Sequence, residues 1–316
     1  MNHFNIRAGG GDGHPHADQI DGENHPHRAG EAAHNPLGPL ERTRDDPHPL
    51  SLLQQDHRLE IGSERQRAPD LHQIAQEPER TRGLEEADAV VAVSDYTCRK
   101  IAERYRINPK KIEVVPNAVD HSKYEASFAA DMTGLKKNGK KIVLFVGRLT
   151  FQKGPDYFLR AAQKMAQLDP KVMFVFSGAG DMERWLIQES ARLGIADRVI
   201  FAGFLRGNDL SRLYQMADLY VMPSVSEPFG ITSLEALANG TPILVSRQSG
   251  VAEMVSHCLK VDFWDIDQIA NKIMAVIKYP ELRQTLHYNG LTEVHKFSWK
   301  KSAQKCVNVY HKVLRA

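Results

Sequence analysis

The chain has 316 residues, 41 Lys+Arg against 39 Asp+Glu, 42% hydrophobic residues and 3 Cys, long enough for one large domain or two ordinary ones and too poor in cysteine for a disulfide-built miniprotein. Cys98, Cys258 and Cys306 show neither CxxC nor zinc-knuckle spacing, which points to ordinary thiols in a reducing cytoplasm. No secretory signal is visible, and apolar runs such as 142–146 fall far short of the ~18 residues of a membrane span, so the sequence reads as a soluble protein.

Residues 1–80 differ in kind from the rest of the chain. They hold one aromatic residue (Phe4), no lysine, nine of the 14 histidines and eight of the 16 prolines, with 8 Arg against 14 Asp+Glu. The result is an acidic leader of net −6 and a basic remainder of net +8 over 81–316. So little apolar area cannot offset chain entropy, and the leader is predicted to be disordered, with no fold before about residue 80. Its His14-Pro-His16 and His25-Pro-His27 pairs could chelate zinc, copper or nickel. Without an accompanying Cys or carboxylate frame they read as compositional bias. The leader is either a natural tail or a segment foreign to the rest, as a shifted reading frame would produce.

From about Leu84 short β-rich apolar runs alternate with stretches of helical period, the pattern of a parallel βαβ sheet. Strands are predicted at 89–93, 112–115, 142–146, 172–176, 199–202, 219–222, 242–245 and 259–261, with helices between them. Pro155 suits a first helical turn, after which Tyr157, Phe158, Ala161, Ala162 and Met165 recur on one face and should pack on the sheet. A helix at 231–239 is closed by Gly240, and three more are predicted near 266–279, 281–295 and 298–313. No internal repeat is evident. The fold class is α/β, a Rossmann-like parallel sheet.

Ligands of open parallel sheets bind where strands end and helices begin, and the informative residues cluster there. After strand 142–146 comes Gly147-Arg148-Leu149-Thr150-Phe151-Gln152-Lys153-Gly154-Pro155, with two cations in one strand-to-helix loop and glycines that permit close backbone approach. Arg148 can make forked charged hydrogen bonds to a phosphate, and Lys153 adds a mobile point charge. The plainer reading is a pair of solvated surface cations. After strand 219–222, Pro223-Ser224-Val225-Ser226-Glu227-Pro228-Phe229-Gly230-Ile231-Thr232-Ser233-Leu234-Glu235 enters a helix. Gly230, Ile231 and Thr232 would present backbone N–H groups to a diphosphate at the helix N-terminus. Glu235, a turn further in, would be repelled by that diphosphate and suits the vicinal hydroxyls of a ribose; Glu227 suits hydroxyls at the other end of the ligand. The plainer reading makes Glu227 a loop charge and Glu235 a favourable first-turn acid.

These residues resemble the retaining family 4 (group 1) glycosyltransferases, which have the GT-B fold of two Rossmann-like domains and use nucleotide-diphosphate sugars. The resemblance rests on Val115-Pro116-Asn117-Ala118-Val119-Asp120, Gly147-Arg148 with Lys153, Gly178-Ala179-Gly180, and the Glu-x7-Glu spacing of Glu227 and Glu235 in that order, and it covers about residue 84 to the end. It implies that Gly147, Arg148 and Lys153 bind the donor's diphosphate, that Phe229, Gly230, Ile231 and Thr232 bind it through backbone groups, that Glu235 holds the ribose, and that Glu227 faces the transferred sugar. Glu227, Arg148 and Lys153 are thereby the candidate catalytic residues. It also implies three segments: the leader (1–80), a remnant of the acceptor-side domain (84–120), and the donor domain with its C-terminal helices (121–316). Most of the acceptor-side domain would be absent, so no acceptor residue is carried over.

Rival readings are weaker. Gly178-Ala179-Gly180 lacks the third glycine of a dinucleotide fingerprint, and the next predicted strand ends in Ala202-Gly203-Phe204 without the acid a dehydrogenase needs; a tight turn explains it better. Asp265-Ile266-Asp267 has a metal-binding DxD form, yet Ile269, Ile273, Met274 and Ile277 come after it at helical period, so either Asp is read as a helix cap and no metal is required. His121, His257, His287, His295 and His311 are assigned to the surface. Scattered lysines with no RNA-binding aromatic motif argue against nucleic acid. The excess cations suit an anionic donor, or a membrane surface carrying a lipid acceptor.

Two functions fit these residues. One is sugar transfer from a nucleotide-diphosphate sugar, with no further cofactor, to an acceptor sugar, lipid or other hydroxyl compound, in the cytoplasm or peripherally at the inner membrane face. The other is a nucleotide-sugar-binding remnant without transferase activity of its own. The base, sugar and acceptor are not identified by the sequence, since in folds of the resembled family base contacts are often made by backbone groups near segments like Phe204-Leu205; a truncated first sheet should leave apolar groups around 89–93 and 112–115 partly uncovered, an association liability.

Overall fold

The computed structural model describes residues 77–120 and 139–315. The His-Pro-His pairs, His121 and nearly all of the 1–80 leader lie outside the described residues.

The first unit runs through α1 (Glu77–Glu86), β1 (Val90–Ala92), α2 (Asp95–Tyr105) and β2 (Ile112–Val114). β1 and β2 pair in parallel with Val90 opposite Ile112. Leu84, Val90, Ala92, Ile101, Tyr105, Ile107 and Ile112 make a small core of their own. Helix α1 straddles the boundary set at residue 80. Its sequence carries no apolar stripe, and Leu84 is the one side chain it contributes to that core, so periodicity could not reveal it. The apolar groups expected to lie partly uncovered here divide evenly: Val90, Ala92, Ile112 and Val115 are buried, whereas Ala89, Val93 and Val114 are half-buried and Val91 is exposed. Ile101 and Tyr105 of α2 close over Val90, Ala92 and Ile112, and Val115 is buried too, leaving Val91 36% exposed.

The second unit is a six-stranded sheet of β3 (Lys141–Val146), β4 (Val172–Ser177), β5 (Val199–Gly203), β6 (Leu219–Met222), β7 (Ile243–Ser246) and β8 (Leu259–Val261). Every neighbouring pair is parallel, in the order β5-β4-β3-β6-β7-β8. Helices α3 (Pro155–Leu168), α4 (Glu183–Arg192), α5 (Gly207–Met216), α6 (Ile231–Ala238) and the short α7 (Gly250–Met254) connect the strands, followed by α8 (Ile266–Lys278), α9 (Pro280–Val294) and α10 (Trp299–Leu314).

Alternation along β3 explains why the sheet is covered on both sides. Val143 and Phe145 join Phe158, Met165, Phe174 and Ile273 in one core, whereas Ile142 and Leu144 join Tyr214, Leu234 and Val294 in another. Two buried faces require continuous apolar strands, which is the pattern read in the sequence.

Strand order reverses at β3, whose neighbours are β4 and β6. The loop leaving β3 and the loop leaving β6 therefore flank a topological switch point, where an open parallel sheet forms its ligand crevice. Helix α10 returns to the first unit: Ser302 Oγ donates to Pro116 O at 2.7 Å, and Lys312 Nζ lies 2.6 Å from Glu113 Oε1. Trp299, Val307, Tyr310 and Leu314 on α10 are exposed, as is Val91 of β1.

Candidate functional site

The loop after β3 is built on backbone pairing with the loop after β4. Gly147 N–H donates to Ser177 O and Leu149 N–H to Ala179 O, both at 3.0 Å. A Cβ at Gly178, where φ is +141°, would stand 1.9 Å from Gly147 O, and one at Gly180 would stand 2.4 Å from Leu149 O. The Gly-Ala-Gly run is therefore more than a tight turn, because it lets the next loop lie directly on the backbone of the Gly147–Leu149 segment. Leu149 is buried and anchors this segment, while Arg148 beside it is exposed and makes no ion pair among the described residues.

A 3₁₀ turn, Phe151–Lys153, then ends at Gly154 with φ 68°. A Cβ there would stand 2.1 Å from Pro223 O. Glycine at this position brings the β3 loop against the β6 loop, and further bonds hold them together. Val225 N–H donates to Gln152 O at 2.9 Å, and Gln152 Nε2 donates to Ser226 O at 3.0 Å. Lys153 Nζ forms an ion pair with Glu227. Sequence assigned these two residues separate tasks; the structure places them in direct contact. Glu227 is 7% exposed, with its backbone fixed to Gln248 O and to the N–H of Gly250.

Phe229 is buried, its ring set edge-on to Phe297 at 6.4 Å, so only its backbone is available to a ligand. Gly230 caps α6 at φ 105°, a conformation that suits glycine, and Ser233 N–H returns to Gly230 O at 3.0 Å. The Ile231 and Thr232 N–H groups belong to the first turn and have no intrahelical acceptor.

Glu235 lies one turn into α6. Burial pushes its carboxyl above the usual range, and the Tyr214 hydroxyl, which donates to Oε2 at 3.2 Å, offsets part of that push. Next to it the buried Tyr220 hydroxyl lies 2.8 Å from Thr232 Oγ1 and donates to Val146 O at 3.3 Å. Burial raises the Tyr220 phenol well above its ordinary value. Neither tyrosine stands out in the sequence, because at helical or strand spacing a tyrosine reads as core, and both rings are indeed fully buried.

Away from these loops, Asp265 Oδ1 accepts from Gln268 N–H at 2.9 Å and caps α8, while Asp267 pairs with Lys164 at 2.5 Å. Among the described residues no three His, Cys, Asp or Glu gather as metal ligands. Of the histidines assigned to the surface, His257 is exposed and His287 half-buried, and both also tie neighbouring segments together. His257 bonds the buried Glu293 at 3.0 Å, and the half-buried His287 donates from Nδ1 to Gly240 O at 2.5 Å. His295 and His311 are exposed.

Comparison with known proteins places the chain in a family. The model of "Glycosyl transferases group 1" matches residues 130–292, which span both site loops, and that of "Glycosyltransferase Family 4" matches 52–123. The chain belongs to the group 1 glycosyl transferases. An uncharacterized glycosyltransferase of Methanocaldococcus jannaschii is 33% identical over 71% of this chain and 60% of its own length. The D-inositol 3-phosphate glycosyltransferase of Segniliparus rotundus is 31% identical over 73% of this chain and 53% of its own. This group 1 glycosyl transferase chain thus spans little more than half the length of such relatives. In three dimensions it is similar to HepE of Anabaena solved with UDP and glucose, with TM-score 0.64, 22% identity, and 76% of this chain and 69% of that one covered. Sucrose-phosphate synthase of Thermosynechococcus elongatus gives TM-score 0.67 at 23% identity, covering 80% of this chain and 64% of that one. At such identities the likeness establishes the GT-B fold. The Family 4 match begins inside the segment read from sequence as a leader, on residues outside those described.

Proposed function

We propose that this group 1 glycosyl transferase chain binds a nucleotide-diphosphate sugar between the β3 and β6 loops and passes its sugar, with retained configuration, to a hydroxyl acceptor. The observation that carries the reading is convergence at the switch point: the loop bearing Arg148 and Lys153 is bonded to the loop that ends in the N-terminus of α6. Arg148 and Lys153 meet the diphosphate, joined by the Ile231 and Thr232 N–H groups and the positive end of the helix. These charges stabilise the departing diphosphate and leave no role for a metal ion in this reading. Because Lys153 is paired with Glu227, an arriving diphosphate competes for the ammonium and leaves Glu227 free to accept bonds from sugar hydroxyls. Glu235, held by Tyr214 through one oxygen, offers the other to the ribose. The exposed Phe204 comes directly after β5 and supplies the nearby surface for a base.

UDP in the HepE structure, and UDP with a glycosylated glycerol in a Staphylococcus aureus TarM structure of TM-score 0.64, support a nucleotide-sugar donor and a hydroxyl acceptor for this chain too. The acceptor we propose is a sugar, a lipid or another hydroxyl compound. The setting we propose is the cytoplasm, with peripheral contact at a membrane carrying a lipid acceptor as the alternative. The domain reading stands as a proposal as well, with 84–120 on the acceptor side and 121–316 on the donor side.

A second reading is nucleotide-sugar binding without transfer by this chain alone, since every candidate residue is assigned to the donor and none to an acceptor. Calorimetric titration with UDP, GDP and ADP, paired with hydrolysis of the matching sugar donor, separates the readings. Binding with turnover supports transfer, binding without it supports the second reading, and no binding contradicts both.

A further inference from the structure

Two hydroxyls of the first unit meet a single carbonyl of the donor loop. Ser94 Oγ, fully buried, donates to Pro228 O at 2.6 Å, and Thr97 Oγ1 donates to the same oxygen at 2.9 Å. Pro228 has no N–H, so this carbonyl is its one backbone polar group. It lies between Glu227 on one side and Phe229 and Gly230, which open α6, on the other. The approach depends on Gly250, where a Cβ would stand 2.4 Å from Pro228 O and 2.5 Å from Ser94 Oγ.

Two weaker ties run alongside. Tyr96 OH lies 3.4 Å from Ser226 Oγ, and Arg99 pairs with Glu253 in α7. The partners bonded to Pro228 and Ser226 are 130 or more residues away in sequence, so no local turn or helix demands these bonds. Ser94 already caps α2 by accepting Thr97 N–H at 3.1 Å, and that task explains neither its reach to Pro228 nor the Thr97 hydroxyl.

We propose that Ser94 and Thr97 are positioning residues for the donor loop. By holding the Pro228 carbonyl they fix the backbone on both sides of it, keeping Glu227 beside Lys153 and the first-turn N–H groups of α6 turned to the crevice. A shift of the first unit against the six-stranded sheet is then transmitted to the donor site chiefly through this carbonyl, with the Tyr96–Ser226 contact beside it. This role rests on the β3 and β6 loops being the donor site.

Thr97→Val in the full chain tests it, since valine keeps the shape of threonine and leaves the Ser94 cap of α2 in place. The readouts are amide hydrogen exchange at 227–232 and calorimetric affinity for UDP, GDP and ADP. The expected result is exchange at 227–232 several-fold faster, unchanged exchange at 142–146, and affinity for the nucleotide that binds roughly fivefold weaker, the size of one hydrogen bond. Thr97→Ser, which keeps the hydroxyl, should match the unaltered protein on both readouts. Unchanged exchange at 227–232 overturns the proposal, and so does faster exchange with unchanged affinity. If the unaltered protein binds none of the three nucleotides, it is the donor reading that fails, and the exchange result still decides whether Ser94 and Thr97 hold the loop.

Discussion

At the scale of single residues, Lys153 and Glu235 carry opposite consequences. Lys153 pairs with Glu227, and in the proposed reaction it meets the departing diphosphate, so its removal would take a stabilising charge from the leaving group. Lys153→Ala should slow donor hydrolysis or transfer about 10²–10³-fold, and an unaltered rate would remove Lys153 from the mechanism. Glu235 is held above the ordinary carboxylate range by burial. Its folded state therefore binds the proton more tightly than the unfolded state does, and stability falls as pH rises from the unfolded value through the folded one. Glu235→Gln should raise Tm at pH 7, with the gain vanishing near pH 4, while weakening nucleoside-diphosphate affinity roughly tenfold, as loss of a charged hydrogen bond would. Thermal melting across pH and calorimetry on the same variant check both halves. The acids and cations were readable from sequence because their spacing and their place after predicted strands are chemical signals. The Lys153–Glu227 pair was not, since the two lie 74 positions apart and meet where the close approach of Gly154 to Pro223 and the bonds of Gln152 join the two loops.

At the scale of elements, helix α9 is fastened by Glu293. Burial pushes this carboxyl up, but the N–H groups of His257 and Ser256, the His257 ring and Lys296 outweigh it and hold the group down at about 2, against an ordinary 4.5. A depressed acid contributes stability that is fully present above its unfolded value and disappears as pH falls from about 4.5 to about 2, an effect of order 3 kcal/mol. Glu293→Gln should remove most of that acid-sensitive limb and lower stability at pH 7 by a similar amount, measured by denaturant unfolding from pH 2 to 7. A limb of the same depth in the variant would show that other groups cause it. The strands of the six-stranded sheet were found from sequence to within a residue or two, because burial on both faces makes their apolar runs continuous. Helix α1 was not foreseen, because it lacks an apolar face, and the short α7 falls in a gap between strands where a helix was expected without bounds.

At the scale of the whole molecule, two units meet at the Pro228 carbonyl and along α10. Among the described residues the β1–β2 pair is two strands wide, and α10 displays Trp299, Val307, Tyr310 and Leu314 together with Lys300, Lys301 and Lys305. Exposed apolar surface of this extent favours association. Light scattering should find self-association that grows with concentration and weakens in Tyr310→Lys; a strict monomer at all concentrations would contradict it. Sequence pointed to partly uncovered apolar groups at 89–93 and 112–115, where Val91 is exposed while α2 covers Val90, Ala92 and Ile112; apolar runs alone show neither that cover nor the exposed face of α10.

If the β3 and β6 loops form one donor pocket, Lys153 and Glu235 both contribute to nucleotide binding. Calorimetric titration of the unaltered chain, Lys153→Ala and Glu235→Gln with UDP, GDP and ADP tests it most directly. The account predicts one site per chain for at least one of these nucleotides, with affinity lowered at least tenfold by each substitution. Binding that survives both substitutions at full strength would place the nucleotide elsewhere and contradict the account.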